Sequence, residues 1–265
     1  MENHVVTEIV GPVAHVRLNR PDKLNGITFD MIDGLIAAAN EIEANRDVRV
    51  VLLEGTGPSF CAGLDFGEVF TQQSKIKKYF LAHPLKGLNK FQEPAWIWRT
   101  VSVPVIAVTR GHVFGGGIQL ALGADFRFTT PDCKWSIMEA KWGLVPDMGG
   151  TVPLAELVPA DLAKRLVFTG EIFSGQQAAD WGIATGVAED PLVPAMELVE
   201  KILERSPDSV ANSKRLMNKL YRASARAALR TERRMQVPLL KLTNTKEARR
   251  AGAEKTAPNF GPREV

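Results

Sequence analysis

Cysteine is almost absent: Cys61 and Cys133 are the only two in 265 residues. They form no CxxC pair and have no metal-ligand spacing, which excludes a disulfide scaffold and a structural zinc site. A reduced, intracellular setting fits. The four histidines, at positions 4, 15, 83 and 112, do not cluster as ligands. No apolar run approaches 18 residues, so no membrane-spanning helix is expected. The start, MENHVVTEIVGPVAHVRL, lacks the basic stretch and apolar core of a secretory leader. The expected location is the cytoplasm. Charge of one sign is lacking too: 33 Lys+Arg against 30 Asp+Glu leave a net charge of +3. That balance alone does not suggest nucleic acid. Residues 205–236, RSPDSVANSKRLMNKLYRASARAALRTERRMQ, are more basic. They read as a solvated helix face, with a small anionic ligand as the other reading and RNA ranked far behind. GxGxxG, GxxxxGK(S/T) and GxSxG are all missing, which removes the usual dinucleotide loop, P-loop and nucleophile elbow. There is no internal repeat and no low-complexity segment.

What is present is an ordinary globular composition, 45% hydrophobic and 24% charged. The length suits one large domain, or a main domain with an appended piece. VVTEIVGPVAHVRLN alternates and turns at Gly11-Pro12, as a β-hairpin does. FDMIDGLIAAANEIEAN has helical spacing. VRVVLLEG, VSVPVIAVT and DFRFTT are short apolar runs of the kind that form buried strands. Residues 70–100 look helical, interrupted by Pro84 and Pro94. Leu162–Phe168 opens a helix, and FTGEIFSGQQAADWG predicts a short strand or turn and another helix. From about Pro191 the chain is nearly all helical. The alternation predicts an α/β fold with a C-terminal helical region.

Two glycine loops leave these strands. In FGGGIQLALG, residues 114–123, three glycines precede an apolar helix. Such a start offers unpaired N–H groups and the positive end of a helix dipole, which suit a phosphate or a developing oxyanion. Taken alone, tight packing explains the glycines as well. SFCAGLDF, residues 59–66, also follows a buried strand. Loops at strand ends converge on the ligand crevice in α/β sheets, so the two could share one carbonyl oxygen.

FCAGLDF, VPVIAVTRGHVFGGGIQLALGADFRFTT and WSIMEAKWGLVPDMGGT together resemble the enoyl-CoA hydratase/isomerase (crotonase) superfamily. The likeness runs from VRLNRPDKLNGIT to the helical tail. It implies a spiral of ββα units over residues 1–195 carrying an acyl-CoA site. It also implies a helical region over 196–265 that builds trimers, often paired into hexamers. It implies no cofactor, coenzyme A being part of the substrate, and no membrane or nucleic-acid partner. The two oxyanion-hole N–H groups fall on Leu64 and Gly116. Family hydratases hold water between two Glu residues. Here the first position is Gln119, which orients but cannot titrate; the second is Glu139, the expected base. Asp147, eight residues on, matches an Asp of dienoyl-CoA isomerases in a similar segment. A Glu139/Asp147 pair could shuttle a proton along an acyl chain.

Each assignment has a plainer reading beside it. Gln119 could bond a neighbouring loop. Asp147 could cap the helix that follows. Trp135 and Trp142 could desolvate Glu139, or simply pack the core. KLNGIT resembles the coenzyme-A segment, with Lys23 near phosphate, Leu24 beside it, and Gly26 in place of the usual Ala; Lys23 could equally be an exposed turn lysine. Ala62, Asp65, Phe66 and Gly115 are expected to line the acyl-CoA pocket, and residues 67–100 to cover it. Cys61 reads as a small buried residue and His112 as structural. Lys255 and Phe260 are candidates for reaching a neighbouring subunit's coenzyme A. The resemblance therefore implies isomerisation or hydration of an enoyl- or dienoyl-CoA. The alternatives are a non-catalytic acyl-CoA binder and, further behind, an RNA-binding tail.

Overall fold

The computed structural model describes residues 3–83, 85, 87–220, 231 and 234–265. Pro84 and most of the basic run after residue 220 lie outside these. Within them the hairpin forms as read: β1 (Val5–Val10) and β2 (Val13–Leu18) pair antiparallel. β3 (Val50–Gly55), β4 (Val105–Thr109), β6 (Phe126–Thr129) and β9 (Gly186–Val187) extend the sheet in parallel, in the order β1-β2-β3-β4-β6-β9. Parallel strands need helices on their faces, which is why β3 and β4 read as unbroken apolar runs. All of β4 is buried.

A second sheet was legible in the sequence only at its last strand, within FTGEIFSGQQAADWG. It joins β5 (His112–Phe114), β7 (Lys134–Ser136) and β8 (Phe173–Ser174) in that order, each two or three residues long. Runs this short carry no period. This sheet turns the chain so that α5 (Gly116–Leu122) starts beside the 61–65 loop.

The helix α1 (Phe29–Ala44) is capped by Thr28, whose side chain accepts from the Met31 N–H. The remaining helices are α2 (Phe66–Val69), α3 (Gln73–Phe80), α4 (Glu93–Thr100), α6 (Thr151–Leu157), α7 (Ala160–Thr169), α8 (Gly175–Asp180), α9 (Leu192–Leu203), α10 (Pro207–Leu220) and a last one at Thr243–Glu254. Pro94 does not interrupt α4. It sits in the first turn, where the missing N–H costs nothing. α9 runs across the 195/196 division and packs on the outer face of the main sheet with Ala195 and Val199. No helix among the described residues is long and apolar enough to cross a membrane.

Of the described cations of the basic run, Arg205, Lys219 and Arg234 are exposed, as a solvated face requires, while Lys214 and Arg215 are turned inward. Lys214 is buried, bonded to the Trp98 and Val103 carbonyls and paired with Asp125 at 2.7 Å. Arg215 donates to Ser102 Oγ. The end of the chain is held by fully buried Asp208: Oδ1 accepts from the Glu264 and Val265 N–H groups, and Oδ2 from Asn244 Nδ2. Asp208→Ala strands the Glu264 and Val265 N–H groups and leaves Asn244 Nδ2 only its bond to the Pro262 carbonyl. It is expected to lower stability by about 2–4 kcal/mol, read as a drop of several degrees in Tm.

Candidate active site

Three segments cross at the site. Ile27 and Leu64 form a parallel bridge: the Ile27 N–H donates to Gly63 O, and the Asp65 N–H to Ile27 O. On the other side Cys61 pairs with Val113, with Cys61 N–H to His112 O and Phe114 N–H to Cys61 O. Backbone groups alternate in direction along an extended segment. Since Gly63 O and Asp65 N–H face Ile27, the Leu64 N–H faces away from it. The Leu64 N–H meets no acceptor among the described residues. Gly116 is the first residue of α5, so its N–H is one of the helix's orphan donors. A Cβ on Gly63 would lie 3.7 Å from Gly116 N and 2.9 Å from Phe114 O, with φ +99. Only glycine allows the two loops to approach this closely.

The glycines of α5 divide their work. A Cβ on Gly117 would reach Cys61 O at 2.5 Å, which is the packing role. One on Gly116 would reach Met148 Sδ at 2.7 Å and Ile27 Cδ1 at 3.0 Å. Gly115 has φ +51 and bonds through its N–H to Ser136 O. Its absent Cβ would stand in ordinary contact, 3.8 Å from Glu139 Oε1, so it is the positive φ that calls for glycine here, beside the carboxylate.

Gln119 is 1% exposed, on α5. Its Oε1 accepts from the Met148 N–H at 2.8 Å and the Gly150 N–H at 3.1 Å. Two donors on one atom fix the amide's orientation, so Nε2 must point the other way. It donates to Glu139 Oε1 at 2.6 Å. Both readings of Gln119 hold together: it bonds the neighbouring loop and, because of that, grips Glu139. Glu139 stands on a 3₁₀ turn, Met138–Trp142. Its Oε2 is buried with no hydrogen-bond partner among the described residues. Burial raises its pKa above the ordinary 4.5; the nearby Asp147 charge adds to this, and the Gln119 donor opposes it.

Asp147 is half-buried, and burial lifts its pKa too. It is not a helix cap. The N-cap of α6 is Gly150, with no side-chain capping bond. Asp147 instead lines a cavity of about 270 Å³ with Gln92, Trp96, Thr151 and Val152.

The two tryptophans separate. Trp135 is fully buried and donates to Thr129 Oγ1, so it packs the core. Trp142 is 62% exposed against the Phe66 ring, so core packing is wrong for it; the turn carrying Glu139 projects it outward. Phe66 also contacts Phe70. Asp65 ion-pairs with Arg20 at 3.0 Å and caps α2 through the Glu68 N–H, while Arg20 also bonds Gly26 O. Arg20 thereby ties the KLNG segment to the 61–65 loop. Leu24 adds a second tie, its carbonyl accepting from the Ala62 N–H. Lys23 is exposed, and its carbonyl accepts from the Gly26 N–H. Cys61 is buried, its thiol pushed up to about 12 by burial, hence inert at neutral pH. His112 Nδ1 meets Ser59 Oγ at 2.9 Å, a structural contact. Lys255 ends the last helix exposed, and Phe260 lies under the Arg49 guanidinium of its own chain. Among the described residues no three His, Cys, Asp or Glu side chains gather as a metal site.

The family model described as enoyl-CoA hydratase/isomerase matches residues 8–263. The chain belongs to the enoyl-CoA hydratase/isomerase family. It is 30% identical to the short-chain-enoyl-CoA hydratase of Clostridium acetobutylicum, covering 87% of each chain. It is also 30% identical to enoyl-CoA hydratase EchA19 of Mycobacterium tuberculosis, over 92% of this chain and 91% of that one. A crystal structure of enoyl-CoA hydratase from M. tuberculosis H37Rv superposes with a TM-score of 0.86 at 28% identity, covering 98% and 99%. The fold is therefore the crotonase fold, and the chain is a family enzyme acting on acyl-CoA thioesters. Sequence reasoning missed Met148 and Gly150 as the groups that orient Gln119. The second glycine pair in PDMGGT was the available signal.

Proposed function

We propose that this family member moves a carbon–carbon double bond along an enoyl- or dienoyl-CoA. Leu64 and Gly116 supply the oxyanion hole, Glu139 is the base, and Asp147 is a second proton carrier. The supporting observation is the Gln119–Glu139 bond. A hydratase with two carboxylates keeps both free to exchange protons with one water; here the first position is a non-titrating amide bonded directly to the second. In the first step the Glu139 carboxylate takes a proton from C2. The C–H electron pair moves into the thioester, giving an enolate whose oxygen meets the two N–H groups. In the second step the same carboxylic acid returns the proton at C4, or Asp147 delivers one further along a diene. The raised pKa of Glu139 makes it a stronger base, matched to operation nearer neutrality.

The base must be ionised, so kcat/KM is expected to fall as pH drops through a value above the ordinary 4.5. Gln119→Ala removes a donor that favours the ionised form and is expected to move that acid limb higher. A pH–rate profile on a 3-enoyl-CoA checks both. Gln119→Glu is expected to raise hydration of 2-enoyl-CoA relative to isomerisation, read by resolving the products. Faster hydration than isomerisation by the parent enzyme would overturn the reading. Hydration by Glu139 alone is the second reading, favoured by the hydratase names of the relatives.

The substrate's coenzyme A is proposed to lie along Lys23–Gly26 with Ala62, Asp65 and Phe66 near it. We retain three further expectations as proposals: a cytoplasmic location, a 1–195 core with a 196–265 helical region, and self-association as a trimer or dimer of trimers. The last rests on the chain's family membership. Mass measurement in solution tests it.

A further inference from the structure

The turn Asp147–Gly150 does more than carry a second carboxylate. Its Met148 and Gly150 N–H groups converge on one oxygen of Gln119. Gly149 has φ +90, and a Cβ there would meet Gln92 O at 3.0 Å. A Cβ on Gly150 would meet Gln119 Cγ at 2.7 Å. The turn is thus pressed against the amide: Gly149 is needed for its positive φ, and Gly150, whose backbone is ordinary, for its close packing on Gln119. Met148 is the residue that faces two ways. Its N–H holds Gln119, and its thioether fills the space beside Gly116, where a Cβ would lie 2.7 Å from Sδ and 3.3 Å from Cε. Its side chain is buried, with the residue 6% exposed. The thioether therefore anchors the turn against the helix start that carries one oxyanion donor. The Met148 N–H sets the amide that holds the base.

We propose that Met148 is a positioning residue that ties the proton-transfer half of the site to the oxyanion half. The inference rests on Glu139 as the base of the proposed reaction. It concerns how that base is held. When the thioether is shortened, the turn loses its stop against Gly116, its N–H groups drift from Gln119 Oε1, and the grip on Glu139 Oε1 loosens. The surrounding charges are few. The charge that acts on Glu139 is Asp147, on the same turn as Met148. The facing group from α5 is the neutral Gln119. Lys141, on the turn of Glu139 itself, lies against Gly170.

The test uses Met148→Ala, Met148→Leu, Gln119→Ala and the Met148→Ala/Gln119→Ala pair in the full chain. Turnover is followed against pH, and Glu139 is titrated by carboxyl ¹³C NMR of glutamate-labelled protein, assigned by loss of its signal in Glu139→Gln. The titration needs no substrate, so it judges the positioning separately from the identity of the reaction. Met148→Ala is expected to lower kcat about tenfold or more, with KM changed less than about twofold, as expected of a small misplacement. It should also raise the Glu139 midpoint. Met148→Leu, close in volume, should restore both. In the Gln119→Ala background, Met148→Ala should leave the midpoint where Gln119→Ala put it. An unmoved midpoint in Met148→Ala overturns the inference, as does an equal further shift in the double variant. If Met148→Ala does not fold, Met148→Val, which also withdraws the thioether, takes its place in the same comparison.

Discussion

Glu139→Gln is expected to lower kcat by about 10³-fold, within the range for losing a positioned general base, while acyl-CoA binding changes little. The change keeps the shape. The substituted amide can still accept from Gln119 through its side-chain oxygen, so the turn and the oxyanion donors stay where they are. What disappears is a titrating atom. Stopped-flow turnover of the preferred enoyl-CoA, with calorimetric binding of an unreactive acyl-CoA, separates the two quantities. Unchanged turnover on every thioester the parent accepts would refute the assignment. The same variant should be more stable than the parent at neutral pH. The folded-state pKa of Glu139 is raised, so its ionisation disfavours the folded state; the stability it allows is complete below the unfolded value and lost as pH rises through the folded one. Thermal melts of the two proteins should converge near pH 4 and separate above it. A carboxylate that destabilises its own fold is what a working base in a buried site requires.

Gly116→Val is expected to lower kcat/KM by about 10²–10³-fold, the loss typical of one oxyanion donor. A backbone N–H survives any side-chain change, so the substitution acts by displacement. Even the first carbon would stand 2.7 Å from Met148 Sδ and 3.0 Å from Ile27 Cδ1. Something must move, and the first turn of α5 carries the donor with it. Gly252→Ala, where no atom lies within 4 Å, serves as a neutral control. Normal kinetics in Gly116→Val would remove Gly116 from the oxyanion hole.

The main sheet was readable because each of its longer strands is a run of β-branched and aliphatic residues between turn signals. Of the second sheet only the short strand or turn around FS was expected, because HVF and KWS are too short to show any period. Pro94 misled as an interruption, since a proline in a helix's first turn and a proline between helices look alike in sequence. The two loops proposed to form the oxyanion hole stood out through their glycines. The plain reading of Asp147 as a cap failed because Gly150 occupies that place. Trp142 stood beside a candidate base and invited a desolvating role, yet the turn projects it outward. The Gln119 amide was visible as an oddity. Its orientation was not, because it is set by two backbone N–H groups some thirty residues away, whose trace in the sequence is the glycine pair of PDMGGT.

The crossing of three segments at Gly63 also bears on how the protein comes to life. Residues near 25, 63 and 115 can meet only after the intervening helices and strands have been laid down and two large loops closed. Secondary structure can form earlier from local contacts, but the proposed oxyanion pair cannot. During refolding, far-ultraviolet circular dichroism should therefore recover ahead of catalysis. Regained turnover then reports the completion of the tertiary fold where these three segments cross.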